Sequence, residues 1–118
     1  VPLMARIRTI KPTFWGDDKV AKLTRDERLL FLGLVSMADD EGRFLASNAA
    51  VAGFVFPNDE LSPARIGRWM KHLDAVGLIR VYDVGSVRYG VLPKFTTHQV
   101  INRKTKSVLP EPPPETLL

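Results

Sequence analysis

The chain has no cysteine, which excludes disulfides, thiolate-bound metals and thiol nucleophiles. Its only histidines, His72 and His98, lie too far apart in sequence to begin a zinc site. Long apolar runs are missing as well. No stretch approaches the roughly 18–20 residues that span a bilayer, and the mean hydropathy is −0.04, so a membrane protein is not expected. No apolar segment follows the amino-terminal charges Arg6, Arg8 and Lys11, so a secretory leader is not expected either. The sequence offers no glycine-rich phosphate loop, no nucleophile–base pair and no paired carboxylates in a cleft-like context. Neither catalysis nor a cofactor or metal is expected. The single acidic cluster, Asp39-Asp40-Glu41, falls at the negative end of a helix dipole and needs compensation. Solvent exposure plus a contact from Arg43 is the expected solution.

Hydrophobic residues make up 45% of the 118, enough for one core with short tails. Val1-Pro2-Leu3 carry no weight, Met4 being read as the natural start. The net charge of +4 is modest, but it is segregated. Residues 1–15 carry +3, residues 62–80 carry +3 and residues 94–107 carry +4, whereas residues 24–61 sum to −4. Such a distribution suits a surface turned toward a polyanion. Ordinary solvated charge accounts for it equally well.

Along the chain, residues 1–23 read as a strap that lays Phe14 and Trp15 on the core, with a short helical turn across residues 17–22. Thr24-Arg25-Asp26-Glu27 is a capping box, and the apolar residues from Leu29 to Ala38 cover more than half of the helix it starts. Gly42 is a left-handed cap, and Arg43-Phe44-Leu45 can form a short strand. Ser47 or Asn48 caps a second helix running to about Phe56. Ser62 caps a third, with Pro63 at its first position, where a missing N–H costs nothing.

In this third helix Ile66, Trp69, Met70, Leu73 and Val76 repeat at i, i+3, i+4, i+7 and i+10, which predicts one buried stripe. Arg68 and Lys71 fall on the far side, with Arg65 and His72 along a flank; Gly77 ends the helix. Residues 78–84 and 87–92 are β-rich and separated by Gly85-Ser86, a type II′ hairpin signal. That register sets Val84 opposite Val87, Asp83 opposite Arg88, Tyr82 opposite Tyr89 and Ile79 opposite Leu92. Residues 96–118 are basic and then proline-rich, as in a stiff linker or disordered tail.

The resulting order, α-β-α-α-β-β over residues 24–95, is that of a mainly α winged helix-turn-helix with a β-hairpin wing. The third helix is then the reader, because a helix fits the major groove and base edges there present a discriminating pattern. The candidate DNA-binding residues are Arg65, Arg68, Lys71 and His72 on that helix, Arg88 on the wing, Lys94 after it, and Arg103, Lys104 and Lys106 in the tail. All but Lys94 have a plainer reading: a solvated helix face for the first group, neutralisation by Asp83 for Arg88, a solubilising tail for the last three. His72 reads as a flanking surface residue rather than a titrating switch.

Met4-Ala5-Arg6-Ile7-Arg8-Thr9-Ile10-Lys11-Pro12-Thr13-Phe14-Trp15, Leu29-Leu30-Phe31-Leu32-Gly33-Leu34, Ala38-Asp39-Asp40-Glu41-Gly42-Arg43, Gly77-Leu78-Ile79 and His98-Gln99 together resemble replication proteins of tailed phages and prophages. These are replisome organisers and helicase-loader-like or initiator-type proteins. The resemblance implies a winged-helix domain that binds double-stranded origin DNA in the bacterial cytoplasm. It also implies replication proteins as partners, contacted through a further C-terminal region. It supplies no motif for individual DNA-contacting residues. A phage transcriptional regulator and a winged-helix protein–protein interaction module are the competing readings. A homodimer is admitted, although no dimerisation helix is evident.

Overall fold

The structure, a computed structural model, describes residues 6–118, so Val1-Pro2-Leu3 and the Met4-Ala5 end of the quoted resemblance lie outside the described residues. Three serine or threonine caps set the helical frame. The Thr24 hydroxyl accepts from the Glu27 amide at 3.2 Å while Glu27 accepts from the Thr24 amide at 2.8 Å, starting α1 (Arg25–Met37). Ser47 caps α2 (Asn48–Val55), and Ser62 caps α3 (Pro63–Ala75) with Pro63 at its first turn. Gly33 lets α2 approach α1 closely, since a Cβ there would stand 2.4 Å from Val55 Cγ1.

Between α1 and α2 runs β1 (Arg43–Leu45), and α3 leads into β2 (Arg80–Val84) and β3 (Val87–Val91). The strands form one antiparallel sheet in the order β1-β3-β2. Within the hairpin Val84 faces Val87, Asp83 faces Arg88 and Tyr82 faces Tyr89, as expected, and the ladder closes at Arg80–Val91. Gly85 has a φ of +62° and Ser86 no positive φ, the signature of a type II′ turn. The element order is therefore α-β-α-α-β-β, followed by a four-residue α4 (Phe95–His98).

Period-two alternation places Phe44, Val81 and Gly90 on the sheet face toward the helices. Phe44 lies directly over Gly90, where a Cβ would come within 2.3 Å of its ring. Leu30, Leu34, Val51, Ile66, Leu73 and Ile79 are wholly buried between the three helices and this face. At about 1.5–3 kcal/mol for each large apolar side chain, this layer is the main source of stability. No helix among the described residues is long and apolar enough to cross a membrane.

Two expectations about the chain's flanking segments need correction. In the strap, Phe14 packs in parallel on Phe31 with ring centroids 5.8 Å apart, but Trp15 is 64% exposed and touches Phe14 only edge-on. The helical turn expected across residues 17–22 is a 3-10 turn, Val20–Lys22, and a second 3-10 turn that was not expected, Pro12–Gly16, precedes it. The tail, expected to be a linker or disordered, is bonded to the domain. Arg43 donates to the Leu109 carbonyl at 3.0 Å and the Tyr82 hydroxyl to the Pro110 carbonyl at 2.7 Å. The chain then ends in another 3-10 turn, Pro114–Leu117.

Candidate nucleic-acid interface

On α3 the helical period separates two faces. Ile66, Met70 and Leu73 are buried, and Trp69 is half-buried against Phe56, ring centroids 5.7 Å apart. Arg65, Arg68 and Lys71 are exposed on the other side, and none forms an ion pair among the described residues. Gly67 lies between these faces beside Asn48 of α2, where a Cβ would stand 3.3 Å from the amide nitrogen. The helix thus presents three uncommitted cations within two turns. Its opposite face fixes their position.

The other nominated residues separate into different environments. His72 is tied to α1, its Nδ1 lying 2.8 Å from Glu27 Oε2, and so links the two helices instead of standing free on the flank. Burial raises the Glu27 pKa, but hydrogen bonds from the Thr24 amide and His72 outweigh it and hold the carboxyl below its ordinary value. Arg88 meets Asp83 across the hairpin at 3.4 Å with both side chains well exposed, the neutralised arrangement the register anticipates. Lys94 is exposed just ahead of α4. Arg103, Lys104 and Lys106 are exposed too, but their backbone segment is anchored on the loop between α1 and β1, not on α3.

That loop is the acidic cluster, and its surroundings differ from those expected. Asp39 and Asp40 are buried, not solvated. Asp39 Oδ1 accepts from the amides of Glu41 and Arg43, shaping the turn that Gly42 completes at a φ of +80°, and its other oxygen accepts from the Ser107 hydroxyl. Asp40 pairs with Arg8 at 3.0 Å and Arg6 at 3.4 Å, and accepts from the Thr105 amide at 2.8 Å. Arg43, the expected partner, reaches Glu41 only at 3.9 Å. The Ser107 amide instead donates to Glu41 at 2.6 Å.

Arg6 donates onward to the carbonyls of Asn102 and Arg103, bracing Arg103 at a φ of +54° that most residues avoid. Burial raises Asp40, but the Thr105 amide and the two arginines pull its pKa down further than burial lifts it. For Glu41 the Ser107 amide is the main cause, and its pKa is lowered as well. Two of the three amino-terminal cations are therefore spent inside the molecule. Arg8 is sealed against Asp40 and the Phe95 ring, 4.9 Å from its centroid.

Compared with known proteins, the chain matches no family model, no curated protein and no solved structure. The likeness to phage replication proteins rests on the quoted residues alone.

Proposed function

We propose that this chain is a winged-helix domain that binds double-stranded DNA, with α3 as the reader, the β2–β3 hairpin as the wing and phage DNA replication as its setting. The observation that carries this reading is the solvent face of α3, where Arg65, Arg68 and Lys71 stand exposed and unpaired while Ile66, Met70 and Leu73 lock the helix to the core. A helix of this diameter enters the major groove, where arginine pairs bidentately with guanine and contributes about 1–3 kcal/mol of base discrimination. Lysine supplies phosphate neutralisation. Among the described residues neither the tail nor the strap seals these cations, so a duplex can reach them without rearrangement of the domain.

Arg88 on the wing and Lys94 after it are exposed and would add backbone contacts, Arg88 sharing its charge with Asp83. Arg103, Lys104 and Lys106 contribute a further positive field, and the two lysines also help balance Glu41. The test is selection from random duplexes at moderate salt, followed by titration of the enriched site. Replacing Arg68 and Lys71 together by alanine is expected to weaken binding at least about tenfold, or about 1.4 kcal/mol, and to flatten the dependence on salt. The unfolding midpoint stays put, because both side chains are exposed. Unchanged affinity removes α3 as the reader.

A further inference from the structure

A second surface lies away from the α3 cations. A groove of about 620 Å³ opens between the strap, the exposed side of α1, the α3–β2 turn and α4. Phe14, Phe31 and Leu78 line it, each only partly covered by the rest of the molecule. Lys11, Lys19 and Lys94 also line it; all three are exposed, and none has an acidic partner among the described residues. One acidic side chain reaches the groove, Asp17, and its Oδ1 is already taken by the amides of Lys19 and Val20. Leu117 and Leu118 touch the edge but remain 50% and 96% exposed, so the tail does not fill the groove. None of Arg65, Arg68 or Lys71 lines it.

An aromatic and aliphatic floor beneath three free lysines is complementary to one kind of occupant. We propose that this groove docks an acidic, amphipathic peptide segment of a partner protein. Its large apolar side chains would enter between Phe14, Phe31 and Leu78, and its carboxylates would meet Lys11, Lys19 and Lys94. Apolar burial supplies the affinity, while the lysines select against basic segments and set the orientation. The floor, not the rim, makes duplex the weaker candidate here. The floor offers a base no hydrogen-bond donors, whereas a leucine or phenylalanine side chain needs none. The groove shares Lys94 with the residues proposed to contact duplex but takes nothing from α3, and the variants below leave Lys94 in place, so the two readings fail separately.

The experiment is selection of a displayed random-peptide library on the full chain, with enriched peptides then synthesised and titrated by fluorescence anisotropy. Enriched sequences are expected to combine aromatic or leucine residues with aspartate and glutamate. Their binding should fall at least about tenfold in Leu78→Asp and, separately, in the Lys11→Glu, Lys19→Glu double variant. The lysine variant alters exposed positions only, so its circular dichroism and duplex affinity should match the parent and show that the fold is intact. Leu78→Asp is read beside it in case the half-buried substitution destabilises the domain. Failure to enrich, enrichment of basic peptides, or binding indifferent to the lysine variant overturns the proposal. Oleate binding that depends on the same lysines, with no peptide enriched, overturns it in favour of an anionic lipid.

Discussion

Arg8 Nη1 stands 3.0 Å from Asp40 Oδ1, with the two side chains 4% and 0% exposed. Burying both charges is costly, so the pair is retained only because each has further partners: the Ala38 carbonyl and Phe95 ring for Arg8, the Thr105 amide and Arg6 for Asp40. Removing one member leaves the other charged and buried. Arg8→Ala is expected to cost about 3–5 kcal/mol in urea unfolding, whereas Arg8→Met combined with Asp40→Leu should recover most of that loss. A single variant within about 1 kcal/mol of the parent would falsify the buried-pair account.

Acid should loosen the same region. Asp40, Glu41 and Glu27 all have pKa values lowered in the fold. Protons therefore bind the unfolded chain more tightly than the folded one. Their contribution is complete above the unfolded-state values of about 3.9 for aspartate and 4.3 for glutamate, and disappears as pH falls through the lower folded values. Urea midpoints are expected to be flat near neutrality and to drop below about pH 4. Glu41→Gln keeps an acceptor for Ser107 and should reduce the steepness of that drop. A profile as steep as the parent's would dissociate Glu41 from it.

Truncation after Asn102 is expected to destabilise the domain, not merely trim a linker. Asp39, Asp40 and Glu41 each lose an acceptor role toward Thr105 or Ser107, and Tyr82 loses Pro110. Each buried polar group left unpaired costs about 1–3 kcal/mol. Thermal melting of the shortened chain checks this, and a midpoint equal to the parent's would show the tail to be a passenger. Duplex affinity measured on the same protein reports separately on Arg103, Lys104 and Lys106.

Two glycines should respond oppositely to alanine. Gly90→Ala drives a methyl group to 2.3 Å from the Phe44 ring and is expected to cost about 1–3 kcal/mol through overpacking. Gly53 lies within α2 with open space around its Cβ position. Alanine there should stabilise by about 0.4–1 kcal/mol, mainly through the unfolded chain. Chemical denaturation of both variants decides the point; the same sign for both would contradict the packing described.

The parts of the fold that were legible beforehand are local. Thr24 with Glu27, Ser62 with Pro63, and Gly85 with Ser86 each announce an element within four residues, and the hairpin turn then dictates the Asp83–Arg88 and Tyr82–Tyr89 pairs. The contacts that escaped notice join distant positions. Glu27 meets His72 across 45 residues, and Thr105 and Ser107 meet the acidic loop across 65 to 68. No periodicity encodes such pairings. The need for compensation at residues 39–41 was visible from the helix dipole, but Arg43, the nearest cation, reaches only Glu41, while Asp40 takes Arg8 and Arg6 from far along the chain. Of the candidate site, the wheel identified Arg68 and Lys71 as outward-facing and Arg65 as flanking, whereas the lysine-rimmed groove needed the strap and α4 to be brought together.

Because residues 6–8 and 105–109 both fasten to residues 39–43, the polypeptide is closed into a ring by bonds that each use a side chain. Tension on one arm passes to the other through a patch a few residues wide at the start of β1. Anything that grips or displaces one arm thereby changes how firmly its counterpart is held.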